Sequence, residues 1–202
     1  IIALFIFVLS FSMAQLENDQ DISKVGTTAA QFLKISSGSR GLAMGSANVA
    51  ICSDLTSSFW NPAGLSHLKG IQVYFENNGW LAGTDYNYGS FGFAWPGVGV
   101  FSLSLTMLSS PDDLVRTVEQ PNGTGEKFNA QDMSIGISVG KSLTDQLSLG
   151  ASIKNVRQRI WHSSGQTLAI DIGVQYETPI KDIILGASIA NFGNDLSLAG
   201  RD

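Results

Sequence analysis

Charged residues are scarce in this sequence. Only 14% of its 202 residues are Asp, Glu, Lys or Arg, whereas soluble globular domains carry about 25%. The formal net charge is -5. A basic surface of the kind that binds nucleic acid is therefore missing, and we expect no nucleic-acid partner.

Residues that carry chemistry are equally few. The single cysteine, Cys52, excludes an internal disulfide and a multi-cysteine metal site, and we expect it to be a small buried residue. Two histidines are present, His67 and His162. Two serines follow His162, but adjacent residues in one turn do not form a nucleophile, base and orienting acid. The stretch "GSRGLAMG" lacks the Gly-Lys-Ser/Thr ending of a phosphate loop. We predict no enzyme activity, no catalytic residues, no cofactor and no metal.

Long apolar runs are absent except at the start of the chain. The run Ile1 to Phe11 is too short for a helix that crosses a bilayer, which needs about 20 residues. Ser12 and Ala14 are small residues before Gln15, as at the cleavage site of a signal peptide. A buried core element is the alternative. We expect residues 1–14 to be a signal peptide that lacks its usual Met and basic start. No lipid anchor is expected, because no cysteine stands at the cut.

From Ile71 onward, bulky apolar residues alternate with small or polar ones. In residues 101–107, Phe and Leu side chains share one face while Ser and Thr share the other. Successive side chains of a strand point to opposite faces. The pattern predicts seven strands, at residues 71–79, 87–95, 99–108, 131–141, 147–158, 167–177 and 183–191.

Two all-β folds fit this alternation. In a soluble sandwich the apolar face packs inside and the other face meets water, but here that other face carries Gly, Ser and Ala with few charges. In a membrane barrel the apolar face meets lipid, and strands of about 9–11 residues suffice. The predicted connections also alternate between longer and shorter, as in outer-membrane barrels. We therefore predict a transmembrane antiparallel β-barrel. Five aromatic residues near strand ends would form its interfacial girdle: Trp80, Tyr88, Trp95, Trp161 and Tyr176.

Small side chains on the predicted lumen face fill little space. We therefore predict a wide barrel filled by the chain itself, with residues 15–70 as an N-terminal tail and lumen plug and residues 71–202 as the barrel wall. Two charges, Lys154 and Asp171, interrupt the small-residue face. If the hairpin is centred between His162 and Ser163, they lie opposite each other, and we predict an inward-facing ion pair.

The stretch "FWNPAGL", residues 59–65, joins the plug to the wall. We expect Asp54 to cap a short helix. Asn61 ends that helix, because it precedes a proline, and caps the next one with Pro62 at the first position. The alternative is an ordinary surface turn. Arg40 is the one long cation of the small-residue run, so we expect it to be buried and partnered. The predicted plug and hinge residues are Arg40, Gly41, Gly45, Asp54, Trp60, Asn61, Pro62, Ala63 and Gly64.

These residues resemble a known family. "FLKISSGSRGLAMGSANVAICSDLTSSFWNPAGL" is similar to the signature of PorV/PorQ-type outer-membrane proteins, which are themselves similar to FadL channels. "WLAGTDYNYGSFGFAW" and "LAIDIGVQYETPIKDIILGASIANFG" extend the resemblance along the strands. Cys52 and the Ser-rich residues 56–58 depart from the expected pattern, which leaves the branch of the family open.

The resemblance implies a fold, a location and a function. The fold is a FadL/PorV-like barrel of fourteen strands with an N-terminal plug, in the bacterial outer membrane. Bacterial single-chain barrels have an even number of strands, so we expect this chain to be truncated and to hold about half of one. The implied function is type IX protein secretion, as a component that receives substrates or binds other components. The alternative is a passive channel for hydrophobic small molecules. Implied partners are outer-membrane lipid, secreted protein cargo or other secretion components, and a hydrophobic ligand.

Overall fold

The protein is all-β in the part of the chain that the structure describes. The computed structural model describes residues 29–194, 196 and 198–200. The predicted signal peptide and the start of the predicted tail lie outside these residues. Seven long strands form one antiparallel sheet, which confirms the predicted all-β class and the seven predicted strands.

The strands follow one another along the sheet in chain order. Within the described residues the sheet does not close on itself: β1 lies at one edge, and β9 and β10 both pair with β8 at the other. The short strands β4 and β5 pair only with each other. The strands are β1 Ile71–Gly79, β2 Asp85–Trp95, β3 Gly99–Ser109, β4 Asp113–Leu114, β5 Lys127–Phe128, β6 Ala130–Ser142, β7 Leu147–Ile160, β8 Ser163–Glu177, β9 Ile184–Gly193 and β10 Ala199–Gly200.

In the described residues, helical structure is limited to short pieces. Two α-helical turns occur, α1 Ser39–Ala43 and α2 Ser57–Trp60, and the 3₁₀ helices are Gln31–Lys34, Pro62–His67 and Leu81–Gly83. All but the last belong to residues 29–70, which we call the N-terminal segment. Among the described residues, no helix combines the length and the apolar character needed to cross a membrane.

The two faces of the sheet differ sharply in burial. The small-residue face lies under the N-terminal segment, and we call it the covered face; Ser138 and Asp171 are each 1% exposed there. The opposite face, the apolar face, has nothing packed on it in the described residues. Ile137 and Ile172 remain 59% and 60% exposed on it. Burial is therefore the reverse of a soluble sheet, in which the apolar face would be covered.

In the described residues, the clusters of buried apolar side chains lie at the contact between the N-terminal segment and the covered face. One cluster joins Leu55, Leu65 and Leu68 to Val100 of β3. A second joins Phe32 and Leu33 to β7 and β8 through Val156 and Ala169. These two clusters hold the segment at both ends of the sheet's width.

The predicted alternation of loop length is wrong at its last pair. The connections contain five, three, twenty, four, two and six residues, counted between the ends of the seven long strands. The predicted longer connection at residues 160–166 is a two-residue turn, Trp161 and His162, because β7 and β8 keep pairing up to Ile160 and Ser163. The residues there are polar on both faces, so this part of the hairpin can pair in water.

The predicted aromatic girdle also needs one correction. Trp80, Trp95 and Trp161 are 43%, 57% and 44% exposed and lie at or beside strand ends. Tyr88 is only 1% exposed and points into the covered face, where its hydroxyl lies 2.6 Å from Ser58 Oγ. Tyr88 therefore packs against the N-terminal segment and does not belong to a girdle.

Candidate functional site at the junction of the N-terminal segment and the sheet

The predicted bend at Asn61 and Pro62 is present. Asn61 ends α2 in an extended conformation and caps the following 3₁₀ helix: its side chain accepts a hydrogen bond from the Ala63 N–H at 3.1 Å, and Pro62 occupies the first helical position. The prediction for Asn61 is confirmed. The one for Asp54 is wrong, because Thr56 precedes α2 and Asp54 accepts a bond from the Thr56 N–H at 2.8 Å. Asp54 closes the turn before the helix.

Asn61 also ties the bend to the sheet. Its side chain is completely buried. The Nδ2 group donates to the Val49 carbonyl at 2.9 Å and to the Val174 carbonyl of β8 at 3.0 Å. One amide therefore joins the loop before the bend, the bend itself and the strand below. If the bend moved, this buried amide would lose its hydrogen-bond partners, and an unpaired buried polar group costs free energy. The bonds of Asn61 therefore fix the position of the bend.

Gln175 makes a second link from β8, and sequence reasoning missed it. Its side chain is 2% exposed. The Nε2 group donates to the carbonyls of Cys52 and Ala50 at 3.0 and 3.2 Å, and the Oε1 atom lies 3.2 Å from His67 Nε2. The signal in the sequence is a long polar side chain on a face of β8 whose other residues are mostly small.

Three glycines in neighbouring strands form the surface on which the bend rests. Gly140, Gly150 and Gly173 lie opposite one another in β6, β7 and β8, and we call them the glycine shelf. A Cβ atom added to them would lie 2.7 Å from the Pro62 oxygen, 2.2 Å from the Pro62 carbonyl carbon and 1.9 Å from Asn61 Oδ1, respectively. Real Cβ contacts below 3.0 Å are essentially never seen. The shelf therefore accepts the bend only because it has no side chains.

The glycines of the predicted hinge motif have different roles. A Cβ atom on Gly64 would lie 2.3 Å from the Cys52 carbonyl oxygen, and one on Gly41 would lie 2.9 Å from the Trp60 ring. Both glycines permit close packing. Gly45 has open space around it but a φ of +65°, so it serves the turn after α1.

Glu76 of β1 anchors the start of the small-residue run. Its Oε2 atom accepts bonds from the Ser37 hydroxyl at 3.1 Å and from the Gly38 N–H at 2.7 Å. Trp60 Nε1 donates to the Ser37 carbonyl at 2.8 Å. The predicted hinge residue Trp60 thus connects α2 to this anchor, and its ring also packs edge-on against Phe59.

Arg40 is not buried. It lies on α1 with an exposed side chain. Arg40 forms no ion pair with any residue that the structure describes. The expected burial is wrong because Gly41, and not Arg40, is the α1 residue that faces the Trp60 ring.

Lys154 and Asp171 form an ion pair on the covered face. The distance between Lys154 Nζ and Asp171 Oδ2 is 2.6 Å, and the two side chains are 9% and 1% exposed. The predicted register is wrong by two residues: Lys154 lies opposite Ala169, because the turn is centred at Trp161 and His162. The pair therefore forms diagonally. Asp171 Oδ1 also accepts a bond from the Asn191 N–H at 2.7 Å.

Cys52 is buried, as predicted, and its environment suppresses its chemistry. The side chain is 2% exposed, and burial raises the pKa of the thiol to about 11. The thiolate is the reactive form, so the folded protein keeps this group inert at neutral pH.

Among the described residues, no group of three or more His, Cys, Asp or Glu side chains could hold a metal ion. What the junction does is fix the N-terminal segment on the sheet.

The comparisons with known proteins give no relative. No family model, no curated protein and no solved structure matches the chain. The two faces of the sheet and the junction are therefore the physical basis for a proposal about function.

Proposed function

We propose that the protein is an outer-membrane β-barrel of the PorV/PorQ type that acts in type IX secretion as a substrate-receiving or interaction component. The seven long strands belong to its wall, and the N-terminal segment is its plug. Its apolar face contacts outer-membrane lipid.

The reversed burial of the two faces is the observation that carries this proposal. Exposed apolar area costs about 25 cal/mol per Å² in water, and a lipid environment removes that cost. On β8 the apolar face runs from Leu168 to Tyr176. Eight steps of about 3.3 Å, tilted by about 40°, give a height of roughly 20 Å, close to the ~25 Å apolar band of outer-membrane barrels.

The contacts at the junction support the proposal that the N-terminal segment is a plug. Asn61, Gln175 and the glycine shelf hold this segment on the covered face, and that face would line the lumen if the sheet closed into a barrel. The secretion role is inferred from the resemblance of residues 32–65 to PorV/PorQ-type proteins.

The test is a double substitution at the bend, N61A/P62A, in the full-length protein. It removes the cap and the two bonds from Asn61 Nδ2, so the plug loosens while the hydrogen-bond ladder of the wall persists. A secretion component then delivers less secreted cargo and leaks no more than before. The matched control is P121A/N122A, an exposed Pro-Asn pair in the connection between β3 and β6. If the bend variant changes neither delivery nor leakage, the buried bend acts in neither function and the plug proposal is wrong.

A channel for hydrophobic small molecules is the second candidate, and a cleft favours it. The cleft has a volume of about 590 Å³ and lies between the 3₁₀ helix Gln31–Lys34 and strands β7 to β9. Leu33, Val156 and Ala169 give it an apolar wall. Small-molecule sites usually measure about 300–1,000 Å³. In this case N61A/P62A raises the uptake of a hydrophobic fluorescent probe in reconstituted vesicles and leaves cargo delivery unchanged.

A further inference from the structure

Two arginines stand on the apolar face where its apolar character ends. Arg157 and Arg159 follow Ile153 on the same face of β7, and both are exposed. Arg157 pairs with Met133 of β6, and Arg159 pairs with Gln131. In a chain with so few charges, two cations at this level are unusual.

The same boundary appears on the neighbouring strands. On β6 the apolar face changes from Ile135 and Met133 to Gln131. On β8 it changes from Leu168 to Gln166, which lies opposite Arg157. The arginines therefore lie at the rim of the apolar band, on the side of the sheet where β3 and β6 are joined by the twenty-residue connection.

The two guanidinium groups have no acidic partner in the part of the chain that the structure describes. In the described residues neither arginine belongs to an ion pair; Arg159 Nη2 donates to the Asn129 side-chain oxygen at 3.0 Å. Asp132 lies between Gln131 and Met133 in sequence but points to the covered face, where it accepts a bond from Gln158. Gln131, Met133, Arg157 and Arg159 enclose a cleft of about 110 Å³. A water molecule occupies about 30 Å³ in the liquid, so a group of several heavy atoms fits.

We propose that Arg157 and Arg159, with Gln131, bind the phosphate group of an anionic membrane lipid. The proposal rests on the proposed membrane location. Guanidinium groups present forked N–H donors that match phosphate oxygens, and they are less strongly hydrated than ammonium groups. Met133, which lies opposite Arg157, and Ile135, the next residue on the same face of β6, supply the apolar surface along which the acyl chains of the same lipid lie. A lipid is therefore favoured over a free phosphate ion, which would gain nothing from that surface.

The test compares charge-matched variants of the full-length protein in detergent. R157Q/R159Q removes the pair. R116Q/K127Q removes two cations from the exposed connection, where they pair with Asp113 and Asp112. Binding of diphosphoryl lipid A and of inorganic phosphate is measured for each by native mass spectrometry and by titration. A basic residue near an anionic lipid surface contributes about fivefold to binding, so we expect R157Q/R159Q to weaken lipid binding by about 30-fold and R116Q/K127Q to leave it unchanged.

The outcomes separate this proposal from the proposed function. Equal weakening in both double variants, or none in R157Q/R159Q, overturns the site. Inorganic phosphate that binds to the pair as tightly as the lipid overturns the lipid assignment. Membrane insertion is measured independently, by flotation of the unaltered protein with vesicles. A protein that stays in solution without detergent and does not float contradicts the membrane location, whereas one that floats while R157Q/R159Q binds lipid normally contradicts only the site.

Discussion

A methyl group on the glycine shelf should release the N-terminal segment. Gly150 lies in the middle of the shelf, and the substitution Gly150→Ala places a Cβ atom 2.2 Å from the carbonyl carbon of Pro62. Ordinary contact begins at 3.4 Å, so the two atoms have to separate by about 1.2 Å, the difference between these distances. The three nearest atoms, which are the carbonyl carbon and oxygen of Pro62 and the nitrogen of Ala63, all belong to the backbone and cannot rotate away.

The cost follows from that displacement. Overpacking of a tight contact costs about 1–3 kcal/mol. The shift also lengthens the bond from Asn61 Nδ2 to the Val174 carbonyl, now 3.0 Å, and a lost hydrogen bond costs about 1 kcal/mol. We expect docking of the segment to weaken by about 2–4 kcal/mol. This corresponds to about a 30-fold to several hundredfold rise in the undocked population.

Alkylation of Cys52 measures that population. The thiol belongs to the segment, is buried against Gln175 of β8 and is the one cysteine of the sequence, so iodoacetamide reacts when the segment leaves the sheet. The control is Gly89→Ala in β2, whose added Cβ atom would be 3.8 Å from its nearest neighbour, an ordinary contact. We expect Gly150→Ala to raise the alkylation rate by the same factor as the undocked population and Gly89→Ala to leave it unchanged. Equal rates for the two variants, with the sheet intact by circular dichroism, would refute the role of the shelf.

The Cys52 thiol, the Lys154–Asp171 pair and the connections between strands give three further predictions. In the unaltered protein at pH 8, Cys52 should react at least about a hundredfold more slowly than in urea, because burial raises its pKa to about 11 from 9.0 and less thiolate is present; a rate that levels off just above pH 9 would contradict this. Replacing Lys154 alone by Met should lower the free energy of unfolding by about 3–5 kcal/mol, whereas the double replacement with Asp171→Leu should cost much less; additive costs in urea titrations would contradict a coupled pair. Protease added to intact cells should cut residues 109–130 and not residues 142–146, and the reverse pattern would invert the proposed orientation.

The strands were predictable because their signal is local. Alternation with period two needs only neighbouring residues, and it placed all seven long strands, although β8 begins at Ser163 and not at residue 167. The cap at Asn61 was also predictable, since a residue before proline is extended and an asparagine favours that position. Both predictions use only the identities of residues that are close together in the sequence.

The contacts between strands and segment were not predictable, because they depend on register. The glycine shelf exists only when Gly140, Gly150 and Gly173 are brought opposite one another. The turn at Trp161 and His162 shifted the register of β7 and β8 by two residues, which moved Lys154 from opposite Asp171 to a diagonal position. Since same-face residues recur every second position, the shift kept the pair on one face.

The central claim is that the apolar face of the sheet contacts lipid. It is tested most directly by single cysteines introduced at alternate positions of β6, Ile137→Cys and Ser138→Cys, in a Cys52→Ser background, with the full-length protein in vesicles. We predict that a membrane-soluble maleimide labels the cysteine at position 137 and that neither this reagent nor a water-soluble one labels position 138 under the docked segment. Labelling of position 137 by the water-soluble reagent, with no reaction of the membrane-soluble one, would show that this face meets water and would contradict the account.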